Sequence, residues 1–331
     1  MEKTVDTHTT TSSNQTLHPN QNDCDWYEEI IDDDVKWSFA LNSVVLHQGT
    51  SEYQDIALLD TKRFGKVLLI DGKMQSAERD EFIYHECLIH PALLFHPNPE
   101  TVFIMGGGEG SAAREILKHK TIEKVVMCDI DQEVVDFCKR FLTINTEAFC
   151  NKKLELVIKD AKVELENREE KFDIIVGDLA DPVEGGPCYQ LYTISFYQNI
   201  VKPKLSPNGI FVTQAGPAGI FTHKEVFTSI YNTLKQVFKY VKAYTAHIPS
   251  FADTWGWVMA SDKEFEFEVK EMDRKIEERV KGELLYLDAS SFLSASTLNK
   301  TISLALEKET EVYSENNAKF IHGQGVAYRD T

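Results

Sequence analysis

The chain has 331 residues, 42% hydrophobic and 11% aromatic, enough for one large α/β unit with an appendage or for two modest domains. Its 35 Lys and Arg face 53 Asp and Glu, a formal net charge of −18. That balance argues against nucleic acid as a partner, because neutralising phosphates needs clustered cations, and it suits a cationic ligand, which a negative field attracts.

Six cysteines, at 24, 87, 128, 138, 150 and 188, include no CxxC pair. This usage fits reduced thiols in the cytoplasm rather than a disulfide frame or a zinc site. HECLIH at 85–90 spaces its histidines five apart, not four as in the HExxH zinc signature, so no metal is expected. No apolar stretch approaches the ~18 residues of a membrane span. The first 25 residues hold no hydrophobic segment, and no Arg precedes Arg63. Neither a secretory signal nor a transit peptide is expected.

Residues 1–35 are predicted to be a disordered polar tail, since their Thr, Ser, Asn and Gln cannot bury enough apolar surface to order themselves. Residues 36–95 are predicted to be a small β domain with a linking helix. SFALNSVVLHQG, YQDIALLDT and KVLLIDGKMQSAE alternate apolar and polar residues and break at Gly49, Gly65 and Gly72, which gives three or four antiparallel strands. EFIYHECLIHPALLFH reads as a helix that Pro91 kinks or restarts. Residues 96–331 change rhythm. TVFIM, KVVMCDI, KLELVIKD, FDIIVGD, GIFVTQAG, the run around VKAYTAHI and WGWVMAS are short buried strands, separated by helical patterns in the first half. Alternating strands and helices predict a parallel sheet with right-handed crossovers. Residues 264–311 are charged and mainly helical in pattern.

The chemistry gathers at strand ends. GGGEGSAAREIL at 106–117 follows a strand and opens a helix, the setting a nucleotide loop requires. Gly106, Gly107, Gly108 and Gly110 let backbone approach a ligand, and the helix start at Ser111 offers free N–H groups. Asp129 lies where an acid can accept hydrogen bonds from a ribose diol. Asp160 ends the next strand, where it can take an adenine amino group while the Ala161 N–H meets a ring nitrogen. Glu109 replaces a GK[ST] ending; it would repel pyrophosphate and attract a cation. The pattern points away from NAD and toward an adenosine sulfonium. Asp178 and Asp181 in GDLADP could hold a polyamine beside such a donor, or could merely cap a turn.

GGGEGSAAREIL, CDID at 128–131, KDA at 159–161 and DLADP together resemble the spermidine-synthase family of polyamine aminopropyltransferases. So do YQD at 53–55, LLIDGKMQSAERDEFIYHE at 68–86 and GPCYQLYTISFY at 186–197. The resemblance runs from about Trp37 to Ser261. It implies an α/β fold with a Rossmann-like, methyltransferase-type sheet and a small N-terminal antiparallel β domain. It also implies transfer of an aminopropyl group from decarboxylated S-adenosylmethionine, a co-substrate, with no tightly bound cofactor. Donor contacts would be Gln54, Gly106, Gly108, Glu109, Asp129, Asp160 and Ala161. Asp178 would accept the proton, and Tyr84, His85, Asp181, Phe251 and Trp255 would line the acceptor site. A homodimer or homotetramer is implied, with no membrane partner.

Four spellings depart from the family's commonest pattern: Glu109 for Asp, Leu179-Ala180 for a serine pair, His85 for Gln and Phe251 for Tyr. The first two resemble plant thermospermine synthases, and also bacterial enzymes that take agmatine or triamines. Fewer hydroxyls imply a more apolar acceptor channel, suited to spermidine more than to putrescine. The competing readings are a spermine or spermidine synthase, an S-adenosylmethionine methyltransferase and a non-catalytic polyamine-binding protein.

Overall fold

The computed structural model describes residues 25–317 except 33, 43, 44, 183–185 and 187. The chain opens on a hairpin of β1 (Trp26–Asp32) and β2 (Val35–Ala40). This shortens the predicted tail over 1–35. Tyr27 packs on Phe39, ring centroids 5.2 Å apart, and its hydroxyl donates to the Gly72 carbonyl at 2.7 Å. A few aromatic anchors thus order a strand that is otherwise acidic. Residues 1–24 of that predicted tail, Cys24 among them, lie outside the described residues, as does Pro187.

Strands β3 (His47–Thr50), β4 (Asp55–Thr61), β5 (Gly65–Ile70) and β6 (Lys73–Ala77) form the expected antiparallel sheet in sequence order. Alternation buries both faces. Leu59, Val67 and Leu69 pack with Phe39 and Phe64, whereas Ile56, Leu58 and Leu68 pack with Val134 and Phe137 of the next unit.

Helix α1 (Glu81–Phe95) runs unbroken through Pro91. Proline removes the N–H that would bond the Cys87 carbonyl. The Tyr244 hydroxyl donates to that carbonyl instead, at 2.9 Å, and the helix does not restart. The helix, assigned by the sequence as the linking helix of the 36–95 unit, packs on the large sheet. Its Cys87, Leu88, Ile89 and Leu93 share a core with Val102, Ile104, Ile174 and Val176 of the large sheet.

That sheet has seven strands: β7 (Thr101–Gly106), β8 (Lys124–Asp129), β9 (Leu154–Ile158), β10 (Phe172–Asp178), β11 (Leu205–Pro217), β12 (Tyr240–Ile248) and β13 (Asp253–Ser261). The order is β12-β13-β11-β10-β7-β8-β9, with β13 antiparallel to both neighbours and the run from β11 to β9 parallel. Helices α2 (Ser111–Leu117), α3 (Gln132–Phe141), α4 (Thr146–Phe149) and α5 (Ala161–Asn167) lie in the crossovers. Both sheet faces are covered, which is why the central strands are almost wholly apolar. From β7 the chain steps outward through β8 to β9, then returns on the other side of β7 as β10. Such a reversal opens a crevice at the carboxyl ends of the strands.

Helices over Val269–Arg279, Ala289–Ser296 and Lys300–Lys308 close the described chain. Buried Glu86 of α1 fastens the segment between the first two, accepting the backbone N–H groups of Leu285, Tyr286 and Leu287 at 2.8, 2.9 and 2.8 Å.

Candidate active site

The glycine turn lies at the centre of the crevice. Gly106, Gly107 and Gly110 have φ of 76°, 74° and 92°. A Cβ on Gly106 would stand 2.2 Å from the Asp178 carbonyl oxygen, and one on Gly108 would stand 2.7 Å from the Asp129 carboxylate. The Gly107 N–H donates to the Asp178 carbonyl at 3.0 Å, and the Gly108 N–H to the Asp129 carboxylate at 2.9 Å. The glycines therefore bring the turn against the protein's own acids.

Asp129 ends β8 and also accepts the Asp131 N–H at 2.9 Å. Burial raises its pKa against these bonds. Asp160 follows β9 and caps α5, accepting from Lys162 and Val163 N–H at 2.8 and 3.2 Å; Ala161 starts the helix. Gln54 reaches the same rim from the loop between β3 and β4. Its amide donates to Asp131 at 3.0 Å, where the Ser51 hydroxyl also binds. Asp131 in turn caps α3 through Glu133 and Val134 N–H. Because β10, β7, β8 and β9 are neighbours, Asp178, the turn, Asp129 and Asp160 form one row.

Asp178 ends β10 and accepts the Tyr84 hydroxyl at 3.0 Å. Burial pushes its carboxyl up to about 6; His85 opposes that rise and Glu109 adds to it. His85 is 4% exposed. Its Nδ1 lies 2.7 Å from Glu81 Oε2 and its Nε2 lies 3.7 Å from Glu109 Oε1. Burial opposes charge on this ring, but Glu109 and Glu81 prevail and raise it to about 9. Its two ring nitrogens thus face Glu81 and Glu109.

On the other side, Asp181 accepts Gln214 Nε2 at 3.0 Å. Burial pushes Asp181 up to about 7, with the Gln214 bond opposing and Glu225 adding. The Gln214 amide nitrogen also lies 2.9 Å from the Leu179 carbonyl and 2.9 Å from the Tyr192 hydroxyl. Its carbonyl oxygen accepts from Gly216 N–H at 2.7 Å and Trp255 Nε1 at 3.2 Å. Phe251 sits edge-on to Trp255, centroids 4.9 Å apart, and lies 6.1 Å from the Tyr84 ring. Asp80 holds this wall by accepting the Ser250 N–H at 2.8 Å. Leu179 is buried in the core cluster, and Ala180 is exposed.

Gln214 escaped the sequence reading, although VTQAG places it at a strand's carboxyl end. Glu81 and Arg114 escaped it too. Arg114 donates to both Glu81 oxygens at 2.7 and 2.9 Å. Glu81, His85 and Glu109 bring ligand-type atoms within 4.8 Å of one another. A protonated His85 and an Arg-paired Glu81 leave that set poorly suited to a metal ion. A cavity of about 180 Å³ borders Ser76, Glu81, Glu109 and Lys66.

Residues 81–271 match the spermine/spermidine synthase domain, and residues 25–78 match the spermidine synthase tetramerisation domain. The chain is 88% identical over 322 residues to thermospermine synthase ACAULIS5 of Arabidopsis thaliana, covering 97% of this chain and 95% of that one. It is 43% identical over 281 residues to a polyamine aminopropyltransferase of Sulfurisphaera tokodaii, covering 84% and 92%. Its fold is similar to that of spermidine synthase from Thermotoga maritima, with a TM-score of 0.78, 27% identity and coverage of 88% and 97%. It is also similar to a spermidine synthase in complex with the transition state analogue AdoDATO, with a TM-score of 0.79, 27% identity and coverage of 88% and 98%.

Proposed function

Because the chain belongs to the spermine/spermidine synthase family and is an aminopropyltransferase, we propose that it transfers the aminopropyl group of decarboxylated S-adenosylmethionine to spermidine, giving thermospermine and methylthioadenosine. The observation that carries this reading is the position of Asp178. It stands between a row of strand-end acids fit for a cationic nucleoside and an aromatic wall that ends at Asp181.

In this reading Asp129 takes the ribose diol, and Asp160 with the Ala161 N–H takes the adenine. Glu109 and Asp178 face the sulfonium arm. Intact S-adenosylmethionine would bring its α-carboxylate against those same acids, which disfavours methyl transfer. The free acceptor nitrogen attacks the methylene bonded to sulfur. The new C–N bond forms as the C–S bond breaks, and its electron pair neutralises the sulfonium. The proton lost from the amine passes to Asp178, whose other partner, the Tyr84 hydroxyl, fixes its orientation. An amine titrates near about 10. A carboxyl raised to about 6 is a better match for it than an ordinary one, yet still a weak base. Alignment of nitrogen, carbon and sulfur therefore supplies more of the rate, up to about 7–11 kcal/mol in well-oriented cases.

The methylenes of spermidine lie along Tyr84, Phe251 and Trp255, and Asp181 orients an acceptor nitrogen. The name of the relative that is 88% identical favours thermospermine over spermine. No tightly bound cofactor is required. The tetramerisation-domain match supports a homodimer or homotetramer. No helix among the described residues is long and apolar enough to cross a membrane, and the described cysteines are free thiols, which fits the cytoplasm. Incubation with the decarboxylated donor and spermidine, followed by separation of the tetraamine isomers, tests the reading. Thermospermine with methylthioadenosine is expected. Spermine would overturn the product assignment, and a lack of methylthioadenosine would overturn the reaction.

A further inference from the structure

We propose that His85 is a positioning residue for the donor, acting through Glu109, and not a contact of the acceptor amine. This rests on the aminopropyl-transfer reading for its substrates, but its geometry stands alone. His85 belongs to a closed ring of six side chains drawn from α1, the glycine turn, α2 and the turn before α4. His85 meets Glu81 at 2.7 Å, and both Glu81 carboxylate oxygens accept from one Arg114 nitrogen, Nη2. Arg114 donates to Asn145 Oδ1 at 2.8 Å. Asn145 Nδ2 donates to Ser111 Oγ and to the Glu109 backbone carbonyl, both at 2.9 Å. The Ser111 hydroxyl donates to Glu109 Oε1, and His85 Nε2 faces that same oxygen at 3.7 Å. Ser76 adds a bond to it at 3.2 Å.

The ring fixes Glu109 at both its backbone and its carboxylate. Arg114 is engaged by Glu81 and Glu115. Among the ion pairs of the described residues, His85 is the cation that meets Glu109. The other acids acting on His85 are Glu81 on its own helix and Asp178 on β10. A charged ring in this position repels an acceptor ammonium, so it cannot serve as that amine's hydrogen-bond acceptor. The extra methylene that Glu109 has over an aspartate carries its carboxylate toward His85 and the two serines. The unusual spellings at 85 and 109 are therefore one feature: the histidine charge holds the longer acid in place for the aminopropyl arm.

The test compares His85→Gln, Glu109→Asp and the double variant. Donor affinity is measured by calorimetry without acceptor, and KM is measured for each substrate. His85→Gln is expected to weaken donor binding about tenfold or more, the scale of a lost contact to a charged group. It should leave spermidine KM within about twofold, and the double variant should be no worse than the worse single. NMR of the imidazole in Glu109→Gln should show its titration lowered by about one unit or more. That readout requires neither turnover nor a folded His85 variant. A raised spermidine KM with unchanged donor affinity would overturn the proposal. So would strictly additive losses, or a His85 titration indifferent to Glu109. Failure of aminopropyl transfer itself would appear as absent methylthioadenosine in the wild type, with donor binding and the NMR titration still readable.

Discussion

In the proposed reading, backbone holds the donor-side acids other than Glu109. Gly108 N–H fixes Asp129, Lys162 and Val163 N–H fix Asp160, and Gly107 N–H binds the carbonyl of Asp178. On the acceptor side, Asp181, Tyr192 and Trp255 converge on a single side chain, Gln214. Groups held by main chain are as rigid as the sheet and change only if the fold changes. Groups held by one amide can be re-aimed by one substitution. If the proposed site assignments hold, the architecture ties most of the nucleoside site to the main chain and leaves the choice of amine open to change.

The largest effect should fall where the halves meet. Asp178→Asn keeps the size of the side chain but cannot accept the proton; turnover should drop by about 10²–10⁴ while calorimetry finds donor affinity little changed. Full turnover in this variant would remove Asp178 as the base. The rigidity of the donor half predicts that Gly106→Ala is disruptive, since its Cβ would meet the Asp178 carbonyl at 2.2 Å at a positive φ. The backbone strain alone is worth about 1–3 kcal/mol, readable by chemical denaturation together with loss of donor binding. Gln214→Ala tests the other half. It should raise spermidine KM by about 10–100-fold, the cost of leaving Asp181 without its partner, with donor affinity unchanged. Equal damage to both substrates would dissolve the distinction between the halves.

The smallest effect is on pH dependence. Asp178 is raised to about 6, so it is ionised above that value, and kcat/KM should fall as pH drops through it. Charge on His85 lowers the Asp178 pKa, so His85→Gln should move this acid limb upward. A downward move would contradict the assignment of the limb to Asp178.

The same contrast decides what the sequence revealed. The donor half was legible because its groups sit at strand ends in a fixed register, and strands announce themselves by apolar runs. Glu109, Asp129, Asp160 and Asp178 needed only that register to be placed. Gln54 and His85 were identified by resemblance, and their partners, Asp131 for one and Glu81 with Glu109 for the other, became visible only in three dimensions. Gln214 and Tyr192 depend on approaches between distant elements, which no local pattern encodes. Pro91 is subject to the same limit: the hydroxyl that repairs its gap comes from Tyr244, 157 residues beyond Cys87. The strand over Trp26–Asp32 was missed because its acids outweigh its few anchoring aromatics in any composition count.

Glu86 carries a consequence for how the chain is made. Its buried carboxylate receives Leu285, Tyr286 and Leu287 N–H, yet the large sheet is complete by Ser261. A chain emerging from the ribosome, amino end first, therefore assembles its sheet while this carboxylate still has no amides to receive. Until residues 285–287 arrive, that carboxylate can have only water as a partner, so the surroundings of α1 are finished last, by a segment with no chemistry of its own.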